Sequence, residues 1–266
     1  MSLLQDVSYT LSSLRKAPGF SFVVIVTLAL GIGANTAVFS MIDVMLLRPL
    51  PYPDAGHLVQ LFETSTPNYS ATPDSVAPGI FVDWSEQNRA FTNMAASEGF
   101  HYVLSGNGSP ELVWGGAASA EWFRVLGVRP ELGRDFLPEE DRASAAPTVL
   151  LSDRLWRRRY QADAGIVGKA IRINSESFTV VGVMPPRADY LETNQLWIPL
   201  RKQVRPDRML SYESRYLNVV ARIRPGLSRE QAIEDLSRIS GGIKKAPPVW
   251  RHLRSCHNRV FTAFLE

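Results

Sequence analysis

Hydrophobic and polar positions divide the chain into one uninterrupted apolar stretch and a long region of short alternating runs. Between Lys16 and Asp43 no side chain is charged. The stretch of about 26 residues exceeds the ~20 that an α-helix needs to cross a bilayer core. Its centre, Phe20-Ser21-Phe22-Val23-Val24-Ile25-Val26-Thr27-Leu28-Ala29-Leu30, is almost wholly apolar. This predicts a spanning helix over 19–45. A buried helix of a soluble domain rarely runs so long without a charge. A cleaved signal peptide fits less well, because the apolar stretch is long and Ala34-Asn35-Thr36-Ala37 lacks the paired small residues of a cleavage site. Arg15 and Lys16 precede the span and only Arg48 follows closely, which predicts a cytoplasmic N-terminus. Ala29, Gly33 and Ala37 recur every fourth residue and line one face, where a second helix could approach closely. Upstream, Leu3, Leu4, Val7, Leu11 and Leu14 are spaced for a surface-lying amphipathic helix within a cytoplasmic segment, 1–18.

Downstream, the runs shorten and alternate between the strand and helix periods, which predicts an α+β extracytoplasmic domain over 46–243. Leu58–Glu63 reads as a strand, and Pro78–Phe91 as a helix with Phe81, Trp84 and Phe91 inward. Glu111–Ala117 reads as a strand leading into a helix capped by Ser119 and ended by Gly127. Thr148–Leu151 predicts a strand, Ser152–Tyr160 a capped helix, and Ala170–Ile173 with Phe178–Val183 a hairpin turning at 174–177. Leu217, Val219, Ala221 and Ile223 alternate as one buried strand face. After the Pro225-Gly226 turn, Ser228-Arg229-Glu230-Gln231 forms a capping box opening a helix with Ala232, Leu236 and Ile239 inward. Trp84, Trp122, Trp156 and Trp197 are expected in the core. The stretch 244–266 reads as a divergent basic tail.

Composition removes several functions. With 29 Lys and Arg against 26 Asp and Glu, the net charge is only +3 and the basic residues are scattered, so no nucleic-acid partner is expected. Cys256 is the one cysteine, which excludes an intramolecular disulfide and a thiolate cluster built from one chain. Gly31-Ile32-Gly33 has neither the third glycine of a dinucleotide fingerprint nor a P-loop Lys-Ser, and it lies within the apolar span. His57, His101, His252 and His257 lack metal-ligand spacing. Glu139-Glu140-Asp141 reads as a solvated loop, and Arg157-Arg158-Arg159 as an exposed helix face. No catalytic residue, cofactor-binding residue or metal ligand is therefore expected, and the chain is not expected to be an enzyme.

Three runs near the N-terminus carry a resemblance: Leu14-Arg15-Lys16-Ala17-Pro18-Gly19-Phe20, the stretch Leu28 to Ser40, and Leu46-Leu47-Arg48-Pro49-Leu50-Pro51-Tyr52. So do Val125-Leu126-Gly127-Val128-Arg129-Pro130, Gly133-Arg134-Asp135-Phe136, Val149-Leu150-Leu151-Ser152, Val180 to Pro185 and Val220 to Gly226. Together they resemble the start and the periplasmic core of MacB/FtsX-like ABC-transporter permeases. The resemblance implies a periplasmic domain between the first two membrane helices of the permease, with a porter-like subdomain and a smaller inserted one. Its implied partners are an ABC ATPase subunit in the cytoplasm, a second permease subunit and membrane lipid. The implied location is the bacterial inner membrane, and the implied role is to transmit ATP-driven motion for export or partner activation. After Gly242 no second apolar span appears, so the expectation is a truncated permease. The alternative is a stand-alone, single-pass periplasmic binding or adaptor module.

Overall fold

The computed structural model describes residues 18–42, 52–64, 75–106, 108–189, 193–243 and 259–264. The amphipathic stretch 1–17, His252, Cys256 and His257 lie outside them. Two units are present, one covering residues 1–49 with the terminal Glu266, the other residues 50–265.

The first unit contains α1 (Pro18–Ile42). From Pro18 to Ser40 its mean hydropathy is 2.2 and none of that window is buried within the chain. Phe20, Phe22, Ile25, Leu28, Leu30, Ile32, Val38 and Phe39 are all exposed on its surface. A helix apolar on every side is stable only where its surroundings are apolar too, and this one is long enough to span a bilayer. Thr27 Oγ1 donates to the Val23 carbonyl at 2.8 Å, which satisfies a hydroxyl that lipid could not.

The second unit is organised by one ten-stranded mixed sheet in the order β10-β1-β9-β2-β3-β8-β5-β7-β4, with β6 bridging β2 and β7. Its first part comprises β1 (Leu58–Thr64), α2 (Pro78–Gln87), β2 (Phe91–Ser105), β9 (Asn218–Ile223), α7 (Arg229–Ile243) and β10 (Arg259–Phe264). Strand, helix and strand occur twice here, with antiparallel order β10-β1-β9-β2, which is the split βαβ arrangement. Residues between β2 and β9 supply β3 (Glu111–Ala118), α3 (Trp122–Leu126), β4 (Leu132–Gly133), β5 (Thr148–Ser152) and α4 (Asp153–Tyr160). They also supply β6 (Ala170–Ile173), β7 (Glu176–Met184), β8 (Leu196–Pro199), α5 (Leu200–Gln203) and α6 (Pro206–Met209). Because β6 joins both β7 and the end of β2, the strands β2, β3, β8, β5, β7 and β6 close on themselves as a ring. Closure removes sheet edges that would otherwise present unpaired backbone groups.

β2 belongs to both parts. Its first half pairs with β9, and from Ser97 to Leu104 it pairs with β3. At ~3.3 Å per residue this strand is a rigid rod of about 50 Å. Two cores lie on opposite faces of the sheet. One gathers Leu61, Trp84, Tyr102, Val149, Val180, Val219 and Leu236; the other gathers Tyr52, Leu58, Trp122, Phe123, Phe136, Trp197 and Val220.

The four expected core tryptophans are all buried. Trp84 donates Nε1 to Ser240 Oγ at 3.1 Å, Trp156 donates to the Asp163 carbonyl at 2.9 Å, and Trp197 meets Phe123 edge-on. The capping box forms reciprocally: Ser228 N donates to Gln231 Oε1 at 2.8 Å, and Gln231 N to Ser228 Oγ at 3.3 Å. Ser152 caps α4 by accepting from Leu155 N.

Elsewhere tertiary structure overrides the local pattern. Phe91 opens β2 instead of closing α2, because Asn88 ends the helix with Nδ2 on the Trp84 carbonyl and its Oδ1 accepts from Phe91 N. Ser119 does not cap α3; its Oγ accepts from Ala96 N and its own N–H donates to the Ala96 carbonyl, so it staples two strands. The 170–184 hairpin turns on Asn174 and Ser175 alone, both at positive φ, as a two-residue turn requires. On β9 both faces are covered, since Val220 is as buried as its alternating neighbours. Arg259–Phe264, a stretch to which the pattern assigned no element, pairs antiparallel with β1 as the outer strand.

The two charged runs are also engaged. Glu140 accepts both guanidinium nitrogens of Arg134, and Asp141 accepts from Ala120 N and Arg201 N. Neither carboxylate is a freely solvated loop group. Arg158 and Arg159 grip Glu111 of β3, and Arg157 pairs with Asp153. The arginine run is an inter-element tie, with the Arg159 side chain 9% exposed.

Candidate functional site

The segment that follows the membrane-type helix meets the domain at Tyr52-Pro53-Asp54, just ahead of β1. Tyr52 is buried in the second core. Asp54 adopts a left-handed conformation (φ 52, ψ 47), which turns the chain into a short 3₁₀ segment, Ala55–His57. His57 Nδ1 lies 2.9 Å from Asp54 Oδ1, and this hydrogen bond draws the Asp54 carboxyl below its usual range, burial acting weakly against it.

Arg222 of β9 clamps this turn. Its Nη1 donates to the Asp54 carbonyl at 2.8 Å, and Nη2 to the Pro53 carbonyl at 3.1 Å. Nη2 and Nε both reach the Val125 carbonyl in α3, at 2.8 and 3.1 Å. A guanidinium is always charged and presents its donors in a rigid planar fork, so one side chain fixes three backbone carbonyls at once. Gly127 ends α3 at φ 70, and a Cβ added there would meet the Pro53 ring at 3.3 Å. Both features favour glycine there.

The opposite end of β9 is tied as firmly. Val76 and Leu217 exchange backbone hydrogen bonds, and Glu63 of β1, fully buried, accepts from Ala77 N at 2.8 Å and from Arg215 Nε at 2.7 Å. Beyond β9, Arg224 Nε donates to the Phe91 carbonyl. Asp235 of α7 accepts from Arg89 N at 2.6 Å and Ala90 N at 3.1 Å, locking that helix to the start of β2. Arg222 thus ties Pro53 and Asp54 to β9 and α3, and β9 pairs in turn with β2.

Chemically, the described residues hold no group of three or more His, Cys, Asp or Glu that could bind a metal ion. His57 is taken by Asp54, and His101 stacks edge-on against Trp114. The expected packing residues Ala29, Gly33 and Ala37 fall along one face of α1, in the other unit from the clamp. Arg222 escaped sequence reasoning, although it sits at the polar position of an alternating strand. Its three carbonyl partners come from residues 53–54 and 125, far from it in sequence.

The class the fold defines is a domain of split βαβ strands with a closed strand ring, in a chain that also has a helix long and apolar enough to cross a membrane. The profile of the MacB-like periplasmic core domain matches residues 21–239, and the chain belongs to that family. Among curated relatives it is 27% identical, over 124 residues, to the macrolide export ATP-binding/permease proteins MacB 1 and MacB 2 of Yersinia pestis bv. Antiqua. That match covers 46% of this chain and spans only 18% of the relatives' length. Solved structures share the fold. A domain assigned to a permease of Porphyromonas gingivalis aligns with TM-score 0.62 and 14% identity over 81% of this chain and 92% of that one. The periplasmic region of MacB from Actinobacillus actinomycetemcomitans gives 0.57 and 14% over 79% and 89%. The extracellular domain of the ABC-type transporter YknZ from Gram-positive bacteria gives 0.53 and 11% over 77% and 99%. The chain thus carries a MacB-like periplasmic core domain over most of its length.

Proposed function

We propose that this chain is the membrane-anchored periplasmic core of an ABC-transporter permease, and that it carries ATP-driven motion from membrane helix to periplasmic domain for export or partner activation. The observation that supports this reading is the Arg222 clamp, which joins the segment after α1 to β9 and α3. A guanidinium bonded to three carbonyls deforms little, so displacement of the linker moves the sheet instead of unravelling the turn. In this reading α1 crosses the inner membrane with its N-terminus cytoplasmic, and the face of Ala29, Gly33 and Ala37 packs against a second permease subunit's helix. The cytoplasmic partner is an ABC ATPase subunit.

The test is made on the full chain in nanodiscs with the ATPase of its own operon or genome. Co-purification is measured first, then hydrogen exchange over residues 52–58 and 218–223 with and without a non-hydrolysable ATP analogue. The expected result is nucleotide-dependent exchange in the wild type that is lost in Arg222→Met, with ATPase binding retained. Failure to capture any ATPase, or identical exchange in both nucleotide states, would sink the proposal.

A further inference from the structure

One edge of β2 is paired along its whole length with β3, but the other is shared between two strands that do not meet. On that second edge β9 pairs as far as Ser97, opposite Asn218, and β6 takes over only at Leu104, opposite Ile173. Residues 98–102 lie between them, a gap of roughly 16 Å at ~3.3 Å per residue. Backbone groups alternate between the two edges of a strand, and two contacts fix their parity here. Ala96 accepts from Ser119 N at 2.9 Å on the β3 side. Val103 N donates to Asn174 Oδ1, and its carbonyl accepts from Asn174 N, on the opposite side. Odd-numbered residues therefore turn N–H and C=O to the second edge, and within the gap these are Gly99 and His101. Among the described residues neither has a backbone hydrogen-bond partner there.

The two faces beside the gap differ. On one, the Trp114 ring lies across Gly99 where a Cβ would be, His101 meets it edge-on at 4.8 Å, and Val103 is exposed beside them. Trp114 keeps 38% of its surface exposed, so this face offers an apolar shelf. The other face carries Glu98, Phe100 and Tyr102, by strand alternation. Glu98 Oε2 and the Tyr102 hydroxyl are both buried without a hydrogen-bond partner. Arg208, whose charge reaches Glu98, lies over the Tyr216 ring at 4.5 Å, so this face already has a cation and suits a neutral hydroxyl.

We propose that the gap takes up an extended peptide segment as an added strand, antiparallel to β2 and in line between β6 and β9, which are both antiparallel to it. Segment residues opposite Gly99 and His101 exchange four backbone hydrogen bonds with them and turn apolar side chains toward Trp114. The residue between, opposite Phe100, places a hydroxyl diagonal to Glu98 and Tyr102. Main-chain pairing chooses this occupant, because an extended polypeptide supplies donors and acceptors at the spacing that Gly99 and His101 present. The inference rests on the edge of β2 and stands apart from the Arg222 clamp.

The test uses the full chain in nanodiscs, with empty nanodiscs as the blank. The probe is a fluorescein-labelled Thr-Val-Thr-Val-Thr amide, followed by fluorescence polarisation. In the antiparallel register both valine N–H groups face β2 and the threonine N–H groups face away. N-methylation of both valines should weaken binding at least about tenfold, the loss two hydrogen bonds set. N-methylation of the central threonine should change it by less than about twofold, and valine in its place should weaken binding about fivefold. Amide exchange at Gly99 and His101 should slow when the parent peptide binds. Equal affinity for the two N-methylated peptides, no saturable binding of the parent, or binding without protection at Gly99 and His101 would each overturn the inference.

Discussion

Replacing Arg222 by methionine keeps the side-chain stem and removes every donor of the clamp. Three carbonyls lose their partners: those of Pro53, Asp54 and Val125. Pro53 and Asp54 are exposed and their carbonyls rehydrate, whereas Val125 is buried and loses two donors together. Leaving a buried acceptor unpaired costs about 1–3 kcal/mol, and two rehydrating carbonyls add roughly 0.5 kcal/mol each, for a total of about 2–4 kcal/mol. In a domain of this size each 1 kcal/mol moves the melting temperature by about 2–4 °C. The full chain in detergent should therefore melt at least about 4 °C lower, and hydrogen exchange should accelerate first at Asp54–Leu58. Arg222→Lys should recover only part of the loss, since an ammonium cannot span three carbonyls. A melting temperature within about 1 °C of wild type, with unaltered exchange at those amides, would refute the claim that Arg222 carries the junction.

Arg215→Met removes the Arg215 charge from the fully buried Glu63 carboxylate and should destabilise by about 3–5 kcal/mol in urea unfolding, with Glu63→Gln in the same chain restoring part of it. Gly127→Ala forces a Cβ into a left-handed residue beside Pro53 and should cost about 1 kcal/mol or more, with Gly127→Val worse; equal melting temperatures for all three chains would contradict the contact. Burial pushes the Glu98 carboxyl up to about 7, against the pull of Arg208, and Oε2 has no hydrogen-bond partner. A raised acid pKa means the folded state holds its proton longer than the unfolded chain does. Stability should accordingly fall as pH rises from about 4.5 to about 7, and Glu98→Gln should flatten that slope in denaturation curves.

Much of the architecture is legible from local chemistry. The apolar stretch announces α1, because a run of uncharged residues this long is long enough for a bilayer-spanning helix. Ser152, and Ser228 with Gln231, announce helix starts, because capping is settled within one helical turn. Alternation revealed β3 and the 170–184 hairpin, where one face met the core and the other did not, and apolar runs between turn signals marked β1 and β5. By contrast β2 was invisible. Its middle, Met94-Ala95-Ala96-Ser97, is buried on both faces, so no polar face marks its period. The four-residue β8, buried at every position, was missed as well.

The site was the least legible part. Sequence determined that the chain has a membrane-length helix and an α+β domain, because period, caps and composition are local properties. Only the tertiary structure decided that the strands close into a ring, that Ser119 staples β2, and that Arg158 and Arg159 grip Glu111. It alone brought Arg222 against Pro53 and Asp54, some 170 residues away along the chain. A guanidinium reads the same in sequence whether it meets water, a carboxylate or a carbonyl. Its partner is chosen by which distant backbone the β1–β9 register sets beside it, and that register is enforced by cores on both faces of the sheet.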